Sequence, residues 1–435
     1  MKYKKTIIFF ILFFLFLFST PYILSTPIGK KIIVKIFQKK GYDFDAKKLK
    51  FSWLGPQEIY YLNISNKKTK INIETLLYHS NFFNLLKKKF FSKDLSFEIK
   101  NGSIFRDKIT LKNINGFIKK EKLFLIKGQG DILSSENEKG FFNIDVKYKK
   151  DNYSGYIDLK NFPSIILETF KNKQLLLLKQ LLGKTINIKS NFKIQNNEGP
   201  FDIVINSTNA SFSFFGNYRN KEIFLQKNLI GKITNQEIQK KLKQENPIFI
   251  EISKDGFLLP IDLDIKKIKI DKAILNFGKF KIKDDTLNLI IRFLKYNSFF
   301  SPDQIDVWAA PFILRLHDGK LNIYRADFLL ENSIHIFTWG IIDITNDNIK
   351  MFLGIPSYTL AKSFNIKNLP KNYTLKIPIT GSMQKIKIDT KKALYQITSL
   401  KIKEKNPLFK FFNILKPKKE KNDIPQANRP FPWEG

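Results

Sequence analysis

Apolar side chains alternate with polar ones along most of this chain, and that pattern decides its fold class. Clear instances are Phe142 to Tyr148 and Phe201 to Ile205, in which every second residue is Phe, Ile, Val or Tyr. A period of two places successive side chains on opposite faces of a β-strand, one apolar and one polar. The sequence therefore predicts a mainly β protein with a long antiparallel sheet that has one apolar face.

The same pattern predicts where individual strands lie and where they end. Ile261, Leu263 and Ile265 alternate with Asp and Pro and are expected to form a strand. Two Gly-containing segments, Lys100 to Gly102 and Lys127 to Gly128, are expected to be turns between strands, because Gly and Asn are typical of turns.

Residues Ile7 to Leu24 form an uncharged apolar run of 18 residues behind three lysines. A helix of this length is long enough to cross a bilayer. A cleaved signal peptide is the alternative, although no Ala-x-Ala pattern marks a cleavage site. We expect a retained single-pass anchor in a bacterial inner membrane, with the bulk of the chain in the periplasm. The anchor residues are Ile7, Phe10, Phe14, Leu17 and Leu24.

Composition excludes several classes of function. The chain has no cysteine, so it has no disulfide, no thiolate zinc site and no cysteine nucleophile. Its net charge of +36 comes almost entirely from lysines spread along the chain, whereas a nucleic-acid-binding protein concentrates its charge and favours arginine. The charge indicates either solubility and codon bias or attraction to anionic lipid headgroups. No nucleic acid is expected as a partner.

No constellation of residues points to catalysis. The three histidines, His79, His317 and His335, do not have the spacing of metal ligands. His335 lies between two isoleucines and is expected to be solvated on the outer face of a strand. Two pairs of carboxylates lie near expected turns among lysines, namely Asp284 with Asp285 and Asp303 with Asp306. We expect no enzyme, no cofactor and no metal site.

Helix signals interrupt the alternation and define four regions. The helices are expected at 28–40, 163–182 and 234–245. The first is expected to lie along a membrane surface or to plug one end of the fold, and a helix that packs in the core is the alternative. The regions are an anchor at 1–26, a β segment at 27–245, a second β segment at 246–395, and a short apolar helix with a basic, Pro-containing tail at 396–435. The end of the tail is expected to be unstructured, and a docking peptide that ends in Trp433 is the alternative.

Several short motifs occur in an order that resembles a known family. They are Gly41 to Phe44, Phe51 to Gly55, the run LLLLKQLLG at Leu175 to Gly183, Trp339 to Asp343, and Ile377 to Ser382. Together with the apolar N-terminus, this layout is similar to that of the AsmA-like family of bacterial envelope proteins, which are related to the chorein-type bridge-like lipid transfer proteins. The motifs reach from about residue 1 to residue 395.

The resemblance implies an elongated antiparallel sheet, curled into a trough with a few bracing helices. It also implies a function in lipid transport or outer-membrane homeostasis. The implied partners are phospholipids, the inner membrane, and outer-membrane or envelope assembly proteins. The predicted lining residues are Phe142, Ile144, Val146, Ile186, Ile188, Phe192, Ile194, Phe201, Ile203, Ile205, Phe212, Phe214, Leu263, Ile265, Phe312, Leu314, Leu316, Leu375, Ile377 and Ile379.

Alternation alone leaves a second interpretation open. The inward residues could pack against each other as the dry core of a β-sandwich, and the protein would then be a non-enzymatic scaffold that assists outer-membrane protein or envelope assembly.

Overall fold

The computed structural model describes residues 18–82, 95–106, 108–120, 123–166, 182–234, 246–283, 304–364, 369–383 and 424–434, with short pieces at 288, 291, 385–389, 391–392 and 395–399. Strands make up 60% of the described residues and all their pairings are antiparallel. This confirms the predicted mainly β class. The chain divides into two compact units, Met1–Thr208 and Asn209–Gly435.

In the first unit the strands follow each other across a sheet in chain order. Its first described elements are a helix at 18–24 and α1 (Pro27–Gln38). The strands are β1 (Asp43–Asp45), β2 (Lys48–Lys50), β3 (Gln57–Ser65), β4 (Thr69–Tyr78), β5 (Leu95–Arg106), β6 (Ile109–Lys120), β7 (Phe124–Ser134), β8 (Lys139–Lys149), β9 (Asn152–Pro163), β10 (Thr185–Ile194) and β11 (Glu198–Ser207). β1 and β2 both pair with β3 and act as one interrupted edge strand. The unit is thus a meander of antiparallel neighbours.

The second unit is also antiparallel, but its strands do not all pair in chain order, and a helix precedes its last two strands. Its elements are β12 (Ala210–Arg219), β13 (Glu222–Leu225), β14 (Leu229–Ile233), β15 (Ile248–Ile252), β16 (Leu259–Pro260), β17 (Ile270–Asn276), β18 (Gly278–Ile282), β19 (Ile305–Ala309), β20 (Phe312–His317), β21 (Lys320–Leu330), β22 (Ile334–Asp343), β23 (Asn348–Pro356), α2 (Ser357–Phe364), β24 (Thr374–Gly381) and β25 (Ile386–Ile388). β14 pairs directly with β15, so the predicted boundary at 245/246 does not interrupt the sheet.

Asparagines in a left-handed conformation form bulges in several strands of the first unit. Asn101, Asn113 and Asn161 have φ of 52°, 52° and 48°, and Asn tolerates this region better than most residues. The pairing register shifts near each of them. A bulge turns the following side chains to the other face of the sheet. Apolar residues on both sides of each bulge therefore stay on one face.

Two predicted turns and one predicted strand are wrong. Lys100 to Gly102 lies inside β5 as part of a bulge, and Lys127 to Gly128 lies inside β7. Leu263 and Ile265 lie in turns between β16 and β17. The carboxylates of Asp262 and Asp264 accept hydrogen bonds there from the backbone N–H groups of Asp264 (3.2 Å) and Lys266 (3.1 Å). Such local bonds compete with strand pairing.

The structure confirms one of the three predicted helices. The first is confirmed as α1, which begins after Thr26, whose hydroxyl accepts a hydrogen bond from the N–H of Gly29. The second was expected to begin at Pro163, but this residue ends β9, and residues 167–181 lie outside the described part of the chain. The third lies almost wholly outside it, as do the anchor residues Ile7, Phe10, Phe14 and Leu17. Among the described residues, the structure contains no helix with the length and apolarity needed to span a membrane.

Candidate functional site

A row of aligned positions crosses the whole sheet of the first unit on one face. Directly paired residues of antiparallel strands place their side chains on the same face. From β2 to β11 the paired positions are Leu49, Ile59, Leu76, Ile99, Gly116, Gly128, Ile144, Ile157, Ser190 and Ile203. Every position except Ser190 is apolar or Gly. At about 4.8 Å per strand, these nine steps extend roughly 43 Å across the strands.

The predicted lining residues of this unit flank that row on the same face. Phe142 and Val146 lie on either side of Ile144, and Phe192 pairs with Phe201. Sequence reasoning missed Ile157 and Leu159 of β9, although both follow the alternation in Tyr156 to Leu159. They pair with Ile144 and Phe142 and join β8 to β10 in the apolar face.

These apolar side chains are only half-buried. Except for Ile186, which is buried, the predicted lining residues of β8, β10 and β11 are all of intermediate exposure. Phe212 and Phe214 of β12, in the second unit, are half-buried as well. A continuous apolar face whose side chains stay partly accessible to solvent is a candidate binding surface. The face of β8 to β11 is therefore an accessible apolar surface.

The N-terminal end of this face is covered by α1. Phe44, Leu49 and Leu62 are buried there, and Ile33 and Phe37 of α1 pack against them. The rings of Phe37 and Phe44 lie 4.7 Å apart. The helix thus closes the apolar face at β1 to β4 and leaves the face of the later strands uncovered by α1.

The opposite face of the first unit is polar. The positions beside the apolar row pair Lys127 of β7 with Asp145 of β8, whose charged groups lie 2.7 Å apart. The hydrogen bond from Tyr60 is the largest effect that holds the pKa of Glu58 below its usual value. A depression of about 760 Å³ is lined mainly by this polar face. Its carboxylates are paired with neighbouring lysines and His79, as expected of a sheet surface that contacts water.

In the second unit the apolar face continues from strand to strand but is closed at its C-terminal end. Paired positions run from Ile252 of β15 through Ala273, Leu314, Ile323, Gly340 and Met351 to Ile379 of β24. Leu360 of α2 and Ile397 are 0% and 1% exposed and pack on this face.

Three predicted lining residues, Leu375, Ile377 and Ile379, lie in this packed cluster. Phe312 and Leu316 are also buried, whereas Leu314 is half-buried. Leu263 and Ile265 lie in the turns described above. The two units therefore differ, because the apolar face is accessible in β8 to β11 and packed in β19 to β24.

The prediction of a solvated His335 is wrong. Its side chain is 3% exposed, and its Nε2 lies 2.8 Å from Oδ1 of Asp327. Its Nδ1 forms a hydrogen bond with the hydroxyl of Tyr358. The guanidinium of Arg325 donates to both carboxylate oxygens of Asp327 at 2.8 to 3.1 Å. Burial raises the pKa of Asp327, but these hydrogen bonds and the Arg325 charge outweigh it and hold the pKa below its usual value.

The C-terminal tail covers this network, so the expectation of an unstructured end is wrong for 424–434. Phe431 is 2% exposed and its ring lies 5.0 Å from that of His335. Trp433 stacks on Phe431 at 4.9 Å and contacts Trp308 at 6.0 Å. Arg325 donates from Nη1 to the carbonyl oxygen of Pro425 at 2.8 Å. The tail packs on the protein itself, on the face opposite the packed cluster.

Among the described residues, no group of three or more His, Asp or Glu side chains is placed to hold a metal ion. Comparison with protein-family models, with curated proteins and with solved structures finds no match to this chain.

Proposed function

We propose that this protein binds phospholipid acyl chains on the apolar face of its antiparallel sheet. In this proposal the N-terminal apolar run holds it in a bacterial inner membrane. The sheet, curled into a trough, supports lipid transport or outer-membrane homeostasis between the two membranes. The observation that carries the proposal is the aligned apolar row of the first unit, whose neighbours in β8 to β11 are half-buried.

The energetics of lipid transfer fit such a face. Each methylene removed from water contributes about 0.8 kcal/mol, so an acyl chain crosses water only when it is shielded. The part of the apolar row that α1 leaves open, from β5 to β11, extends roughly 29 Å over six strand steps. This exceeds the ~15 Å that one leaflet of a ~30 Å hydrocarbon core offers to an acyl chain. The polar face opposite it leaves the charged side chains in water. No covalent chemistry is required.

The packed end of the second unit favours a different function for that region. Leu353, Leu360 and Ile377 are at most 2% exposed and leave no accessible apolar surface where they meet. This is the dry core that a scaffold for outer-membrane protein or envelope assembly would have. The second candidate function is therefore such a scaffold.

Adjacent residues of β11 provide a matched test of lipid binding. Ile203 lies on the apolar face, and Val204 lies on the opposite face and pairs with Lys189. Both are half-buried. In the full-length protein, Ile203→Asp would place a carboxylate among acyl chains at a cost of several kcal/mol if it is unpaired. Val204→Asp adds the same charge next to a lysine.

Binding of a fluorescent phospholipid to each purified variant in detergent is the measurement. We expect Ile203→Asp to lower the amount bound and Val204→Asp to leave it close to that of the wild type, with circular dichroism confirming that both variants are folded. Equal binding by both folded variants would contradict the lipid proposal and favour the scaffold.

A further inference from the structure

Helix α1 carries a second apolar stripe that does not contact the sheet cluster. Ile33 and Phe37 pack against that cluster, whereas Ile28, Ile32 and Ile36 are 67%, 46% and 52% exposed. These three residues are spaced by four positions and therefore lie along one side of the helix. A helix that only plugged the sheet would need no isoleucines there.

A stripe of lysines runs beside these isoleucines. Lys31, Lys35 and Lys39 are also spaced by four positions and are all exposed. In the part of the chain that the structure describes, none of the three has a carboxylate within ion-pair distance, while Lys30 binds Asp45 at 2.5 Å. An apolar stripe beside a row of exposed lysines is typical of a helix that lies in the interface of an anionic bilayer.

The connection to the N-terminal apolar run fixes where this helix can lie. Only Ser25 and Thr26 separate the helix at 18–24 from α1. A Cβ atom on Gly29 would lie 2.5 Å from the carbonyl oxygen of Ile23, so the two helices approach as closely as the backbone allows. Leu54, which is 92% exposed, follows Trp53, whose indole donates to the carbonyl oxygen of Phe18 at 2.6 Å. Exposed apolar residues thus surround the point where the apolar run joins the folded unit.

We propose that α1 lies in the headgroup layer of an anionic bilayer, with Ile28, Ile32 and Ile36 directed into the acyl boundary and Lys31, Lys35 and Lys39 on lipid phosphates. The opposite side of the same helix closes the apolar face of the sheet. One helix therefore places the end of that face at the membrane surface. This inference rests on the membrane location in the proposed function and is independent of lipid binding by β8 to β11.

The absence of cysteine permits a clean labelling test in the full-length protein. Single variants Ile32→Cys and Ile230→Cys are labelled with an environment-sensitive fluorophore and reconstituted into vesicles of phosphatidylglycerol and phosphatidylcholine. Ile230 of β14, which is 62% exposed, is the matched control. Quenching by an aqueous ion and by nitroxide-labelled lipid is measured for both labels.

We expect the label at position 32 to be quenched by the lipid nitroxide and protected from the aqueous ion, and the label at 230 to show the reverse. Equal aqueous quenching at both positions would overturn the inference. Protection at position 32 from the aqueous ion without quenching by the lipid nitroxide would also overturn it, because it would indicate contact with protein, such as a second copy of the chain.

The lysines are tested by replacing Lys31, Lys35 and Lys39 with Gln in the Ile32→Cys variant. Each lysine near an anionic surface contributes about a fivefold factor to association. The ratio of lipid to aqueous quenching should therefore fall in phosphatidylglycerol vesicles and stay unchanged in pure phosphatidylcholine. An equal ratio with and without the lysines in both lipids would contradict their role. Fluorescent phospholipid binding by the same variants reports on the proposed function separately, so failure of one does not imply failure of the other.

Discussion

Two Asp–His pairs in the second unit differ mainly in burial and allow the strength of a buried charge network to be predicted. Asp327 binds His335 at 2.8 Å and Arg325 at 2.8 Å, and its side chain is 6% exposed. Asp271 binds His317 at 2.6 Å and Lys269 at 3.4 Å, but its side chain is 44% exposed. Each carboxylate thus forms a hydrogen bond with one histidine and an ion pair with one Arg or Lys side chain.

Replacement of each carboxylate by Asn keeps its volume and removes its charge. In Asp327→Asn the guanidinium of Arg325, which is 12% exposed, loses its anionic partner while it remains largely buried. Removal of one partner from a buried ion pair costs about 3 to 5 kcal/mol. Exposed pairs contribute about 0 to 1 kcal/mol because water screens them. We therefore expect Asp327→Asn to lower the free energy of unfolding by about 3 to 5 kcal/mol and Asp271→Asn by less than about 1 kcal/mol.

Urea unfolding followed by tryptophan fluorescence measures this difference. Trp308 and Trp433 contact each other over the Asp327 network, so the signal reports on the affected region. A similar loss of stability in both variants would refute the reasoning, since burial would then not determine the strength of the network.

Three further predictions concern stability. Gly116→Ala should lower the melting temperature, because the added Cβ would clash with the carbonyl oxygen of Lys127 and lie 2.8 Å from the Cα of Gly128. Gly128→Ala should melt close to the wild type, since the atom nearest to its added Cβ is 3.8 Å away. Equal shifts in melting temperature for the two variants would contradict this. Leu360→Ala should cost about 2 to 5 kcal/mol in urea unfolding, since Leu360 is fully buried, and a loss below 1 kcal/mol would show that the cluster is not packed there. The pKa of Asp327 is lowered in the folded state, so the stabilisation by its carboxylate is fully present above the ordinary carboxyl pKa of about 3.9 and is lost as the pH falls through the lower folded-state pKa. The difference in unfolding free energy between the wild type and Asp327→Asn should therefore shrink below about pH 4. A constant difference down to about pH 2 would contradict this prediction.

The faces of the sheet could be predicted from the sequence, because strand alternation is a local property. Phe142, Ile144 and Val146 alternate with polar residues and share one face in β8. The bulges could not be predicted in this way. Asn101 and Gly102 are typical turn residues, and only the neighbouring strands hold them inside β5.

The burial of individual side chains could not be predicted, because it depends on contacts between residues that are distant in sequence. His335 lies on the face predicted for it, opposite the packed cluster, but the tail at 424–434 covers that face. For the same reason, the local sequence did not show whether an apolar face is accessible or packed. Ile203 and Ile377 have equivalent sequence patterns, but Ile377 is buried in a cluster that includes Leu360 of α2, Ile291 and Ile397, which are distant from it in the fold's strand order or in sequence.

Native mass spectrometry of the full-length protein extracted from membranes tests most directly whether the apolar face binds lipid. We predict that the folded wild type carries phospholipid that survives dilution of the detergent, and that the Ile203→Asp variant carries less than Val204→Asp. Folded wild-type protein without any bound phospholipid would contradict the account.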